Sequence, residues 1–149
     1  MEITMAETVD YNIDEAEQQE IMDILTRYWT KETGSAEKAQ MMLQKLASLL
    51  SQDGANLIHI GNTVFLMIVT GKGEVEIHTM TADEDSVSLA NSFRELAKTL
   101  KGLGVKKAYT YANDPRFEVV ARRTRLPIKK QKQKSRDGKD VTVYTLEIK

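Results

Sequence analysis

The amino-acid sequence predicts an α+β fold, with a central mixed and mostly antiparallel sheet, one parallel β-α-β segment, and helices on both faces. Three observations carry this. Val75, Ile77 and Thr79 alternate with Glu74, Glu76 and His78, the period of a strand. Val87, Leu89, Ala90, Phe93, Leu96, Ala97 and Leu100 then recur every three or four residues, which makes one apolar helical stripe. Val105 to Tyr111 reads as strand again, and two strands joined through a helix lie parallel with a right-handed crossover. Ligand clefts in such sheets open at the strand carboxyl ends, here Thr81-Ala82-Asp83 and Ala112-Asn113-Asp114.

The remaining elements follow in order. Ile3 and Met5 suit a short first strand, and Asn12 or Asp14 suits a helix cap. The helix that follows carries Ala16, Ile21, Ile24, Leu25, Tyr28 and Trp29 on one side, with acids in its first turns as the helix dipole favours. Thr33-Gly34-Ser35 breaks it, and Ser35 caps a second helix with Ala39, Met42, Leu43, Leu46, Leu49 and Leu50. Asp53-Gly54 ends that helix. Leu57, Ile58 and Ile60 form a strand, Gly61-Asn62 a hairpin turn in which both residues accept positive φ, and Val64 to Val69 a returning strand buried on both faces. Gly102 and Gly104 stop the central helix. Asp114-Pro115 opens a short helix with Phe117, Val120 and Ala121 on its apolar side, and Pro127 closes it. Leu126 to Lys134 suits a lysine-rich edge strand, Arg136-Asp137-Gly138 a turn, and Val141, Val143, Thr145 and Leu146 a last strand.

Composition narrows the function classes. A chain of 149 residues without repeats or linkers is read as one domain, 1–149, and the lack of cysteine excludes a disulfide framework and a thiolate metal site. The longest apolar run, Val64 to Val69, is too short to span a membrane, and Glu2 and Glu7 precede any base, unlike a signal peptide. A soluble protein made inside a cell is expected. The net charge of -1 names no partner, but the charge is segregated. Acids crowd the stretch from Glu2 to Asp23, and Arg122, Arg123, Arg125, Lys129, Lys130, Lys132, Lys134, Arg136 and Lys139 crowd the other end.

Few side chains carry chemistry. Glu76 and His78 project from one face of their strand and are candidates for a general base. His59 and His78 could meet Glu76 at a metal, although no ligand spacing supports it. The basic end could grip nucleic-acid phosphates but has little aromatic interleaving for base stacking. Arg122, Arg123, Lys129, Lys130 and Lys132 are the candidate partner-binding residues. Unlike charge blocks orient protein contacts, so other proteins or further copies of this chain are the expected partners.

The order of elements, together with the Asn113-Asp114-Pro115-Arg116-Phe117 turn, resembles the GNAT acyltransferase fold over nearly the whole chain. The resemblance implies acetyl-coenzyme A as cofactor, its pyrophosphate cradled by a glycine-containing turn, and a tyrosine as general acid on the following short helix. Two departures stand against that activity. Thr81-Ala82-Asp83-Glu84-Asp85-Ser86-Val87-Ser88-Leu89-Ala90 has no glycine and three carboxylates where the cradle belongs, so that Thr81, Asp83, Ser86 and Ser88 form a degenerate loop. Ala121 falls near the position of the acid tyrosine. The chain is also similar in size and arrangement to GNAT-like internal virion proteins of podophages. The expectation is therefore a non-catalytic bacteriophage virion or assembly protein that acts by contact, needs no cofactor, and resides in the virion or host cytoplasm. The alternative is an acetyl-coenzyme A dependent N-acetyltransferase with a degenerate cofactor loop.

Overall fold

The computed structural model describes residues 15–82 and 85–149. The expected first strand at Ile3 and Met5, the cap at Asn12 or Asp14, and Asp83 of the loop lie outside the described residues. The elements run α1 (Glu15–Thr33), α2 (Ala36–Leu50), β1 (Ala55–Ile60), β2 (Thr63–Gly71), β3 (Glu74–Thr81), α3 (Ser86–Gly102), β4 (Lys107–Ala112), α4 (Pro115–Arg123), β5 (Lys129–Lys134) and β6 (Asp140–Glu147). The strands hydrogen-bond in the order β1-β2-β3-β4-β6-β5. The parallel pair is β3 with β4, in the register Glu74↔Lys107, Val75↔Ala108 and Glu76↔Tyr109. β4 with β6 and β5 with β6 are antiparallel. The α+β class and the parallel pairing of two strands joined through a helix, both read from the sequence, hold. The parallel ladder is shorter than the strands themselves, ending on β3 at Glu76.

The described residues fall into two compact units. The first holds α1, α2, β1, β2 through Ile68, and β3 from His78. Its core is the meeting of two amphipathic helices with the β1–β2 hairpin. Ile21, Ile24, Leu25 and Trp29 of α1 and Ala39, Leu43, Leu46 and Leu50 of α2 pack with Leu57, Val64, Leu66 and Met80. Each fully buried leucine or isoleucine contributes about 1.5–3 kcal/mol by leaving water. Ser35 caps α2 as expected, its hydroxyl accepting the Lys38 N–H at 3.3 Å. Ala16 is exposed, which shortens the apolar stripe of α1 by its first member. In the Gly61-Asn62 turn only the glycine takes positive φ, at 58°. Met41 is 53 % exposed, off the buried stripe of α2.

The second unit holds Val69–Ile77 and Asp85–Lys149. Val69 is 51 % exposed, because the apolar run of β2 outlasts its burial by one residue. α3 buries Ala90, Ser92, Leu96 and Leu100, whereas Val87, expected on the buried stripe, is 48 % exposed. α3 ends in a Schellman motif: Gly104 at φ 84° donates to the Lys101 carbonyl, and Val105 donates to that of Leu100. α4 packs on the sheet through Phe117, whose ring stands edge-on to Phe93 of α3 at 5.6 Å and to Tyr144 of β6 at 4.7 Å. Asn113 brackets the end of β4, donating to the Asp140 carbonyl and accepting the Thr142 N–H. Pro127 does not close α4. The helix stops at Arg123, capped by Thr124, and Arg125 follows with φ 58°.

Candidate functional site: an arginine groove between α3 and α4

The N-terminal half of α3 and the C-terminal half of α4 lie side by side and leave an open groove of about 470 Å³. Val87, Ala90 and Arg94 line it from α3, Val119, Arg122 and Arg123 from α4, and Arg125 from the turn beyond. Helical spacing puts them there: Val87, Ala90 and Arg94 are three and four residues apart, as are Val119 and Arg122 or Arg123. Three of the lining residues are aliphatic, Val87, Ala90 and Val119, and four are arginines. None of the four makes an ion pair with a described carboxylate. Glu118, the nearest acid on α4, is already paired with Lys130 at 2.7 Å. That hydrogen bond and its charge draw the Glu118 carboxyl below the ordinary carboxylate range and hold the Lys130 ammonium above its own.

The turn carrying the arginines is fixed. Thr124 is 2 % exposed, and its Oγ1 donates to the Ala121 carbonyl at 2.6 Å and accepts the Leu126 N–H at 3.2 Å. Arg94 Nη1 donates to the Arg123 carbonyl at 2.9 Å. Four cationic forks held on rigid elements, with no carboxylate among them, suit a ligand bearing several phosphates.

At the other residues of the loop, local bonds use the groups that could meet a ligand. Asp85 caps α3: its Oδ1 accepts the Val87 N–H at 2.9 Å, and its Oδ2 accepts the Ser88 hydroxyl at 3.3 Å. Ser86 is the first residue of α3. Thr81 Oγ1 lies 2.8 Å from Thr63 Oγ1, at the end of the β2–β3 pairing. The loop thus presents a carboxylate already engaged by its own helix.

The other candidates are scattered. Glu76 is half-buried and His78 exposed, both on β3. His59 lies on β1 with Nδ1 3.1 Å from Glu17 Oε1 and Nε2 2.8 Å from the Gly61 carbonyl, which corrects the idea of a His59–His78–Glu76 metal site. Among the described residues no group of three His, Asp or Glu is placed to hold a metal ion. Arg122 and Arg123 line the groove, whereas Lys129, Lys130 and Lys132 stand on β5, all of whose residues are exposed. Ala121 is one of the two buried residues of α4. Sequence reasoning missed Arg94 and the separate role of Arg125. The signal for Arg94 was a charged residue continuing the Val87–Ala90 face of an apolar helix.

No protein-family model matches the chain, and no curated protein does. Solved structures do. A GNAT-family protein from Desulfovibrio desulfuricans superposes with a TM-score of 0.62 at 14% identity, covering 89% of this chain and 94% of that one. An aminoglycoside acetyltransferase in complex with coenzyme A gives 0.63 at 15%, covering 91% of each chain. The microcin C7 self-immunity acetyltransferase, in complex with acetyl-coenzyme A and AMP, gives 0.57 at 15%, covering 88% of this chain and 82% of that one. The fold is the GNAT fold. These likenesses overturn the expectation of a non-catalytic virion or assembly protein and of a chain without a cofactor, since the structures are those of acetyltransferases, two of them holding coenzyme A or its acetyl ester. The physical reason is local: the glycine-free loop is only one end of α3, and Arg94 on α3, Arg122 and Arg123 on α4 and Arg125 beyond it bring four cations to the side of that helix. Among the described residues, no helix is long and apolar enough to cross a membrane.

Proposed function

We propose that this chain is an acyl-coenzyme A dependent N-acyltransferase in which side chains, rather than a glycine loop, hold the phosphates of the cofactor. The observation that carries the reading is the groove between α3 and α4, lined by Arg94, Arg122, Arg123 and Arg125, none of them in an ion pair with a described carboxylate. The fold supports it, because α3 of this chain is the helix that follows the glycine turn in the acyltransferases it resembles. The residues fit the group in one respect and depart in another. Guanidinium forks match phosphate oxygens two at a time. The N-terminus of α3, by contrast, has spent the Val87 N–H on Asp85, so the backbone cradle of the family is replaced here by arginines.

When bound, the cofactor supplies an activated acyl thioester. The chain's own work is to anchor the phosphates at one end and to take a proton from the attacking amine at the other. Glu76 and His78 on β3 are the side chains able to accept that proton. The charge asymmetry at the basic end then draws a polyanionic cofactor rather than a protein partner.

Calorimetric titration of the full chain with acetyl-coenzyme A at low salt tests the reading, together with release of free thiol in the presence of a panel of primary amines. The expected result is a micromolar dissociation constant, about -8 kcal/mol, and thiol release lost in Glu76→Gln or His78→Gln. No binding at roughly millimolar cofactor, a bound worth only about -4 kcal/mol, would refute it.

A further inference from the structure

Arg125 occupies a backbone conformation that costs the fold. Its φ of 58° is the one positive value among the described non-glycine residues. Any side chain with a Cβ is disfavoured there, and the position just past a helix cap is where glycine ordinarily stands. This chain follows that rule at the end of α3, where Gly104 takes φ 84°. At the end of α4 it places an arginine instead. Among the described residues nothing repays the strain. Arg125 is exposed and makes no ion pair with a described residue. Its N–H donates to the Arg122 carbonyl at 3.2 Å, a bond that glycine would make equally well. What the arginine adds is a fourth cationic residue in the lining of the groove.

We propose that Arg125 is a phosphate-binding residue of the groove, kept in a left-handed conformation at the expense of stability because its side chain is needed by the ligand. This rests on the acyl-coenzyme A reading for the identity of the ligand, but the role of the residue does not. Residues in sparsely populated backbone regions persist where function holds them there, and the buried Thr124 with its two hydrogen bonds is the brace that does so.

The test opposes stability to binding. Wild type, Arg125→Gly and Arg125→Ala are each melted and each titrated with coenzyme A and with inorganic pyrophosphate. The glycine variant is expected to melt about 2–4 °C higher and to bind coenzyme A roughly tenfold more weakly, the loss of one charge-assisted contact. The alanine variant keeps the strain and is expected to bind as weakly while melting near the wild type. A glycine variant that binds both probes within twofold of wild type overturns the proposal, whatever its melting temperature. If wild type takes pyrophosphate but not coenzyme A, and Arg125→Gly weakens pyrophosphate, the role of Arg125 stands and the acyl-coenzyme A reading falls.

Discussion

Arg94 Nη1 donates to the main-chain carbonyl of Arg123 across 2.9 Å, tying the middle of α3 to the last residue of α4. The bond satisfies a carbonyl at the end of its helix and joins two elements that line the groove. It also explains why a charged residue sits on the side of α3 that otherwise carries Val87 and Ala90.

Arg94→Met keeps the aliphatic stem and removes the donor. A hydrogen bond of this kind contributes about 0.5–1.5 kcal/mol, so the urea midpoint should fall modestly. Binding of acetyl-coenzyme A should fall further, by roughly tenfold, because both a cation and the brace of the Arg123 turn are lost. Chemical denaturation and calorimetry on the same preparation read the two effects. An unchanged affinity would remove Arg94 from the site and leave it as a helix tie.

The cap of α4 gives a pH dependence. Asp114 accepts the Arg116 N–H at 2.9 Å and the Arg116 guanidinium at 2.7 Å, and these bonds hold its carboxyl below the ordinary value. The sign follows from linkage: a carboxyl depressed in the folded chain contributes stability above its unfolded value, lost as pH falls through the folded one. Melting temperature should therefore drop as pH falls below the ordinary carboxylate range of about 4. Asp114→Asn, which still caps, should flatten that acid limb relative to wild type. Asp114→Ala should cost about 1 kcal/mol at neutral pH as well. An unaltered acid limb in the asparagine variant would show that other carboxyls set it.

Gly104→Ala isolates backbone strain from packing. A Cβ built at Gly104 meets nothing within 4 Å, so no clash contributes. The φ of 84° alone should cost about 1 kcal/mol, read as a lower urea midpoint with an unchanged slope. A neutral result would mean that the end of α3 relaxes, and would weaken the strain assigned to Arg125 by the same reasoning.

The fold was legible because each element announces itself locally. Ser35 and Asp114 cap their helices, Gly104 terminates α3, and the β-α-β order leaves few topologies. The groove was half legible. The run Arg122-Arg123 is visible in the sequence, but nothing local says that Arg94, on another helix, faces it. Arg125 hid for a different reason: Pro127 offered an obvious helix stop, and only backbone geometry reveals that the chain turns earlier, at Thr124. The loop misled because three carboxylates look like a barrier to a polyanion, whereas Asp85 is committed to its own helix.

Bulk charge and the groove make different predictions, and paired charge reversals separate them. β5 carries Lys129 and Lys132, exposed and in register with Thr145 and Thr142, on the outer strand of the sheet order. Neither lines the groove. Exposed lysines on an edge strand contribute little to stability, and Lys129→Glu with Lys132→Glu should leave the melting temperature within about 2 °C. If positive charge in general recruits the cofactor, this pair should weaken acetyl-coenzyme A binding as much as Arg122→Glu with Arg123→Glu, since both change the net charge equally. If the groove is the site, the arginine pair should abolish detectable binding. The lysine pair should then lower it by less than about threefold, an effect confined to low salt, because charges beyond a Debye length of about 8 Å are screened at physiological ionic strength. Titrations at low and at physiological salt decide it: equal losses in both pairs would assign the binding to the field of the basic end and not to the arginines between α3 and α4.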